Sequence, residues 1–294
     1  YYLNQNFKVY GIDNLLTGSY NNLIQNINNK NFTFLNHDVR EKILIKEPID
    51  YILHFASPAS PVDYLRYPIE TLQIGSKGTE NILEFGHKNK ATVLVASTSE
   101  IYGDPLQNPQ TESYFGNVNP VGPRAVYDEA KRYLEAITTA YSKKKQLDVR
   151  IVRIFNTYGP RMRINDGRVI PTFLDQSINK KDYTVHGDGK QTRSFCYVFD
   201  TIDGIVKLLI KKGFNKPVNI GSTEEYSIID LIRLIDKING YKNKIVFKKL
   251  PENDPLRRKP DISLSKKVLN WTPKTSLEKG LKNTLSFLRN NDIQ

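Results

Sequence analysis

Short apolar runs separated by stretches of helical periodicity constrain this 294-residue chain more than any other feature. The runs are FKVYGID (7–13), FTFLNHD (32–38), DYILHFA (50–56), ATVLVAS (91–97) and VRIVRIF (149–155). Between the third and fourth, IETLQIGSKGTENILEFGHKN (69–89) places Ile69, Leu72, Ile82, Leu83 and Phe85 at helical spacing. Between the fourth and fifth, RAVYDEAKRYLEAITTAYSKKK (124–145) reads as a second amphipathic helix. Nearly continuous apolar strands alternating with helices belong to a parallel sheet covered on both faces. The expectation is an α/β chain with a doubly wound parallel sheet.

The pattern loosens past residue 157. YGPRMRINDGRVIPTF (158–173) reads as loop, and YTVHGDGKQTRSFCYVFD (183–200) as strand, glycine-containing turn and strand. A helix (201–212), a short strand (217–222), a helix (227–240), a strand (244–250) and a helix (276–291) opened by Ser276 complete the chain. The boundaries expected are 1–157 for the first domain and 158–294 for a smaller, interleaved C-terminal lobe. Within the lobe, 195–222 returns to the first sheet.

Composition narrows the function classes. Hydrophobic content of 39% and charged content of 25% are those of a globular protein. No run approaches the roughly 18 apolar residues of a membrane span, and no signal peptide is visible, so no membrane partner is expected. The lone Cys196 excludes an internal disulfide framework and fits a reducing cytoplasm. The net charge of +12 raises the question of nucleic acid. Its lysines, however, are dispersed through HKNKA (87–91), SKKKQ (142–146) and GYKNK (240–244), most of them beside asparagines, rather than forming one patch; only YSKKKQ (141–146) and PLRRKPD (255–261) are more concentrated, and nucleic acid is not an expected partner. His54 and His186 have no second histidine or cysteine at ligand spacing, so both read as structural and no metal is expected.

The chemistry gathers where the fourth run ends. VLVASTSEIYGDP (93–105) finishes a buried strand on Ser97, Thr98, Ser99 and Glu100. In open α/β sheets, ligands bind at the carboxyl ends of the strands. In the following helix, Tyr127 and Lys131 stand at i and i+4 on one face. A neighbouring ammonium stabilises the phenolate, so a lowered tyrosine pKa and a general base at neutral pH are expected. Asp13 ends its strand, where an acidic residue holds the ribose of a dinucleotide. The glycine-rich loop of such a unit belongs about 20 residues earlier. Only twelve residues precede Asp13 and no G-x-G-x-x-G occurs, so the chain reads as another fold or as an N-terminally truncated copy of this one.

These stretches resemble the extended short-chain dehydrogenase/reductases acting on nucleotide sugars. Within that family the chain is most similar to the branch converting UDP-glucuronate to UDP-xylose. The resemblance is carried by DNLLTG (13–18), NHDV (36–39), HFASPASP (54–61), ASTSEIYGDP (96–105), NPVGPRAVYDEAKR (119–132), RIFNTYGPRM (153–162), NDGRVIPTF (165–173), GDGKQTRSF (187–195) and RRKPDI (257–262). It implies a Rossmann-type domain for NAD, a substrate-binding lobe for a UDP-sugar, and a homodimer formed through two helices per subunit, 124–145 among them. It further implies a cofactor set of Asp13, Asn14, Thr17, Gly18, Asp38, Val39, Ala56, Ser57, Ser97, Tyr127 and Lys131. The implied catalytic set is Thr98, Ser99, Glu100, Tyr127, Lys131 and Arg193; the substrate set is Asn156, Gly167, Arg168, Val169, Arg193 and Arg258. In the implied reaction, C4 of the sugar is oxidised while Tyr127 takes the hydroxyl proton, the 4-keto acid loses CO2, and the reduced cofactor returns its hydride. A 4,6-dehydratase, a 4-epimerase and a non-catalytic nucleotide-sugar-binding or dimer-partner chain remain open as alternatives. Relatives carry TLKTN where this chain has TLQIG (71–75), and glycine where it has Ala130. Gln73 and Gly75 thus replace a lysine and an asparagine near the ligands.

Overall fold

The computed structural model describes residues 1–249 and 257–290. Leu250, Pro255, Leu256 and Asn291, at the margins of three sequence readings, lie outside these residues.

The parallel strands are β1 (Val9–Asp13), β2 (Phe32–Asn36), β3 (Tyr51–His54), β4 (Thr92–Thr98), β5 (Val149–Ile154) and β6 (Pro217–Ile220). They form two sheets: β1 pairs with β2, and the other four run in the order β6-β5-β4-β3. Side chains alternate between the faces of β4, as a doubly covered strand requires. Val93 and Val95 join Leu83, Leu134, Val149 and Ile151 in one core. Leu94 and Ala96 join Val152, Leu208, Val218 and Trp271 in another. The first core is covered by α3 (Thr79–Asn89) and α4 (Ala125–Lys145), the second by α6 (Val198–Leu209) and α8 (Ser263–Leu269).

Three readings of the sequence are corrected. The helix expected over 69–89 is preceded by the short α1 (Pro61–Arg66), begins as α2 (Pro68–Gln73), and passes through a π turn at Ile74–Gly78 before α3. Ser60 caps α1 by accepting from Asp63 N at 3.2 Å, and Pro61 and Pro68 start the two short helices. The π turn admits an extra residue where Gly75 lies against α4. Second, the supposed loop 158–173 already contains the start of α5 (Val169–Ile178), whose Ile170, Phe173 and Leu174 are buried. Third, the strand read as running to residue 200 stops at Tyr197, where Val198 begins α6, and the strands on either side of Gly187 and Gly189 find separate partners. Tyr183–His186 pairs with Ile245–Lys248, while Thr192–Ser194 lies between Glu225–Ser227 and Arg257–Arg258.

A third core unites α5, α7 (Ile228–Asn239) and α9 (Leu277–Asn290) through Leu174, Leu231, Ile235, Leu281 and Leu285. Asp63 joins this part to α1, with both carboxylate oxygens accepting from Arg163 at 2.7 Å. No helix among the described residues is long and apolar enough to cross a membrane.

Candidate active site

β4 delivers its last residues to a corner bounded by α1, α4 and the strand Arg257–Arg258. Thr98 leaves the strand with extended backbone and its hydroxyl accepts from Glu100 N at 3.3 Å, opening the short turn Ser99–Tyr102. That cap turns Glu100 back beneath the strand end. The Glu100 carboxylate lies between two guanidiniums, Arg124 on one oxygen and Arg258 on the other. Burial alone would raise its pKa, but Arg258 and Arg124 overcome burial and hold it well below the usual carboxylate range. Asp128, one helical turn from Arg124, is affected in the opposite sense. Burial and the Glu100 charge push its pKa up, and its Oδ1 has no hydrogen-bond partner.

Tyr127 and Lys131 are both buried on the β4-facing side of α4. Lys131 Nζ donates to Ala96 O at 2.9 Å and lies 5.7 Å from the centroid of the Tyr127 ring. Tyr64 of α1 stacks on that ring, with centroids 5.1 Å apart and planes 12° apart. Lys131 is placed as the sequence spacing predicts, but the expected lowering of the tyrosine pKa is not what this geometry gives. Burial, followed by the Glu100 charge, raises Tyr127 to about 12, with Arg168 and the Thr98 hydroxyl pulling the other way. The ammonium faces the ring and the Ala96 carbonyl, and burial lowers its own pKa to about 8.

Ser97, assigned above to the cofactor, lies one residue before the end of β4. Its hydroxyl donates to Glu135 Oε1 at 2.5 Å. Glu135 also accepts from Arg153 at 2.9 and 2.7 Å, and Arg153 donates to Tyr102 Oη at 2.9 Å. Tyr102 in turn donates to Asn219 at 2.8 Å. Sequence reading missed Glu135, Arg153, Tyr102, Asn219, Tyr64 and Arg124. Only Glu135 carried a visible signal, since it continues the i, i+4 row of Tyr127 and Lys131.

Of the two arginines read from the motifs, Arg258 touches Glu100, and its Nη2 also donates to Gly103 O at 3.3 Å. Arg193 sits opposite Arg258 in the adjacent strand and donates from Nη1 to Thr192 O at 2.9 Å. Arg168 reaches across to Ala59 O at 2.8 Å; Gly167 before it takes a left-handed φ of 79°, and Val169 after it begins α5. Asn156 donates to Ser194 O at 3.4 Å.

The residues read as cofactor contacts gather a short way along the sheet. Asp13, Asn14, Thr17, Asp38, Val39, Ala56 and Ser57 line one cavity of about 560 Å3. Asp13 Oδ1 accepts from Leu15 N at 2.7 Å, and Gly18 leaves room beside it, since a Cβ there would meet Asp13 Oδ2 at 3.2 Å. Asp38 accepts from Asn14 at 2.9 Å and is gripped by Arg40, whose hydrogen bonds lower its pKa to about 2. Arg40 also donates to Gln73 Oε1 at 2.7 Å, so a cation stands beside the position where relatives carry lysine. His54 is buried against Thr79 Oγ1 at 3.1 Å, whereas His186 is exposed on its strand. Among the described residues, no three His, Cys, Asp or Glu side chains gather as metal ligands.

Comparison with known proteins agrees with this arrangement. The family model described as "NAD dependent epimerase/dehydratase family" matches residues 1–221. UDP-glucuronic acid decarboxylase 1 of Xenopus tropicalis is 46% identical over 278 residues, which is 95% of this chain. The chain spans 65% of that relative's length. A solved UDP-glucose 4-epimerase from Thermotoga maritima, with UDP-glucose, is similar at a TM-score of 0.90 and 26% identity, covering 98% of this chain and 93% of that one. UDP-glucuronic acid 4-epimerase from Bacillus cereus, in complex with UDP-glucuronic acid and NAD, is similar at a TM-score of 0.88 and 27% identity, covering 99% and 93%. With a doubly wound sheet, a Tyr127–Lys131 pair at the end of β4 and a family match over most of its length, the chain belongs to the NAD dependent epimerase/dehydratase family.

Proposed function

We propose that this chain carries out the decarboxylation of UDP-glucuronate to UDP-xylose, using NAD and regenerating it in each cycle. The observation that carries this reading is the position of Glu100, ionised and fixed between Arg124 and Arg258 at the same strand end that holds Tyr127 and Lys131. The similarity to the decarboxylase of Xenopus tropicalis supports the choice of reaction.

The cavity at the ends of β1 and β3 fits the cofactor's adenosine half. The Asp13 carboxylate suits the ribose hydroxyls, while Asp38, Val39, Ala56 and Ser57 line the remainder. Bound NAD+ supplies the hydride acceptor and donor for C4 of the sugar. Tyr127 Oη would receive the C4 hydroxyl proton as a phenolate, a form that the positive nicotinamide ring of bound NAD+ would favour over the neutral phenol of the unliganded site, and Thr98 and Ser99 hold that oxygen. Lys131 holds the phenol's surroundings positive from the Ala96 carbonyl. The substrate's carboxylate on C5 is then β to a ketone, so CO2 leaves with its electrons drawn into the carbonyl. Glu100, ionised, orients the ring and the water that delivers the proton replacing CO2, with Arg258 and Arg124 keeping its charge. Arg193, Asn156, Gly167, Arg168 and Val169 are assigned to the nucleotide and diphosphate, and 158–294, apart from 195–222, forms most of the lobe that holds them.

A homodimer through two helices per subunit, α4 and the helix that begins as α2, belongs to the same reading. It is supported by Ile69, Leu72 and Tyr133, apolar or aromatic side chains left exposed on those helices. A cytoplasmic location is supported by Cys196, the single cysteine of the sequence, which is buried.

The test mixes the chain with UDP-glucuronate and NAD+ and follows the nucleotide sugar by mass spectrometry. A product lighter by one CO2, abolished in Tyr127→Phe, is expected. Conversion to an isomer of unchanged mass, or unchanged substrate with NAD+ bound, overturns the reading.

A further inference from the structure

The strand Arg257–Arg258 is only two residues long and pairs with Thr192 and Arg193. So short a ladder fixes a segment weakly, yet the Arg258 guanidinium has to reach a buried carboxylate on Glu100. The segment is held just beyond the arginine. Gln110 N donates to Lys259 O at 2.9 Å, Lys259 N donates to Gln110 Oε1 at 2.9 Å, and Asp261 N donates to Gln110 O at 2.8 Å. Gln110 is fully buried, and so is Asn219 in β6. Asn219 Nδ2 donates to Gln110 O at 3.0 Å and to Asp261 O at 3.2 Å, while its Oδ1 accepts from Tyr102 Oη at 2.8 Å.

Tyr102 closes the turn Ser99–Tyr102 to which Glu100 belongs. The two halves of the Arg258–Glu100 pair are therefore joined a second time, through Asn219. Its amide has one satisfactory direction. Arg153 Nη1 donates to Tyr102 Oη at 2.9 Å, which leaves the tyrosine proton for Asn219 Oδ1 and the amide N–H groups for the two carbonyls. An aspartate at 219 would turn an oxygen toward those carbonyls, and an apolar residue would leave the buried Tyr102 hydroxyl without its acceptor. Among the described residues, no hydrogen bond of Asn219 or Gln110 ends on Glu100, Tyr127, Lys131 or Arg258.

We propose that Asn219 and Gln110 are positioning residues for Glu100: they hold the segment from Arg258 to Asp261 in register with the turn Ser99–Tyr102, so that the guanidinium meets the carboxylate. This deepens the function proposed above and rests on its assignment of Glu100 and Arg258. Glu100 is faced by Arg124, Tyr127 and Asp128 of α4, by Tyr64 of α1 and by Arg258. Of these, only Arg258 belongs to the segment that Asn219 and Gln110 hold.

The test follows the Glu100 carboxyl by 13C NMR in the full chain, labelled at the glutamate carboxyl carbons, with its signal assigned by loss in Glu100→Gln. Asn219→Ala is expected to raise the Glu100 pKa by about one pH unit, roughly a tenfold change in proton affinity. Gln110→Met keeps the main-chain pairs of residue 110 and is expected to shift it in the same direction by less; it decides the matter if Asn219→Ala does not fold. In an Arg258→Met background neither substitution is expected to add a shift, because the cation that they place is gone. A lower Tm with an unmoved Glu100 pKa, or equal shifts in both backgrounds, overturns the proposal. Turnover of UDP-glucuronate with NAD+ separates it from the reading beneath it. A moved pKa in a chain that leaves the sugar at unchanged mass keeps the positioning and overturns the decarboxylation, whereas an unmoved pKa in a chain that releases CO2 does the reverse.

Discussion

Gly75 and Ala130 meet across the π turn and α4. A Cβ on Gly75 would lie 2.7 Å from the Ala130 Cβ and 2.8 Å from the Ala130 carbonyl oxygen. The family resemblance drawn from the sequence implies asparagine at 75 and glycine at 130, which would put the small residue on the other side of this contact. The alanine in the YDEAKR motif is therefore one half of a packed pair, and Gly75 is the half that accommodates it. Overpacking at such a contact costs about 1–3 kcal/mol. Gly75→Ala is expected to lose that amount in urea unfolding. In an Ala130→Gly background the loss is expected to shrink by about 1 kcal/mol without vanishing, because the carbonyl contact remains. Equal losses in both backgrounds would remove the coupling.

Acid stability is expected to depend on His54. Its ring is buried, and burial followed by the Lys131 charge lowers its pKa from 6.5 to about 3. Between those two values only the unfolded chain binds the proton, so stability falls as pH falls through the window from 6.5 to about 3. The contribution is on the order of several kcal/mol at the acid end. His54→Gln keeps a donor for Thr79 and has nothing to titrate. Its unfolding free energy is expected to change less over that pH range than the parent's, as measured by denaturant titration at successive pH values. Parallel pH profiles would show that the histidine is not responsible.

Removing Arg258 tests the electrostatics of Glu100. Arg258→Met deletes the largest influence opposing burial, so the Glu100 carboxyl is expected to protonate at higher pH. If ionised Glu100 is required, the acid limb of kcat/KM moves upward in pH, and the plateau drops by about 10²-fold, within the range for lost acid–base assistance. A lower plateau with an unmoved limb would confine Arg258 to substrate binding.

The buried Glu135–Arg153 pair gives a prediction about stability. Arg153→Met leaves Glu135 without its guanidinium and Tyr102 without a donor, at a cost of about 3–5 kcal/mol. Glu135→Gln with Arg153→Met is expected to recover part of that loss, since no buried charge is then stranded. Thermal unfolding of the two variants measures the difference.

Much of this architecture was legible because periodicity reports burial. The run around Val93 is apolar on both sides, as is that around Val149 apart from Arg150 and Arg153, and the structure covers both faces of each. The π turn was not legible, since Ile74 and Gly75 fit the helical pattern on either side and only the approach of Ala130 distinguishes them. α5 was hidden by Gly167 and Pro171, which read as loop punctuation, although Gly167 lies just ahead of the helix and the proline falls in its first turn. At the site, Tyr127 and Lys131 announced themselves by spacing on one helix. Arg124 and Tyr64 did not, because their importance comes from contacts across distant segments. The tyrosine pKa was misjudged for a related reason: spacing brings an ammonium near the ring but does not reveal that the phenol is buried beside the Glu100 charge.

The two guanidiniums that grip Glu100 stand 134 positions apart, at 124 and 258. A chain emerging from the ribosome completes the β4 end, Tyr127 and Lys131 long before Arg258 has been made. Because domains tend to fold as they are synthesised, the sheet can be in place while Glu100 has only one of its cations. The reacting corner therefore matures last, and a nascent or prematurely terminated chain would hold a folded sheet with an unfinished catalytic centre.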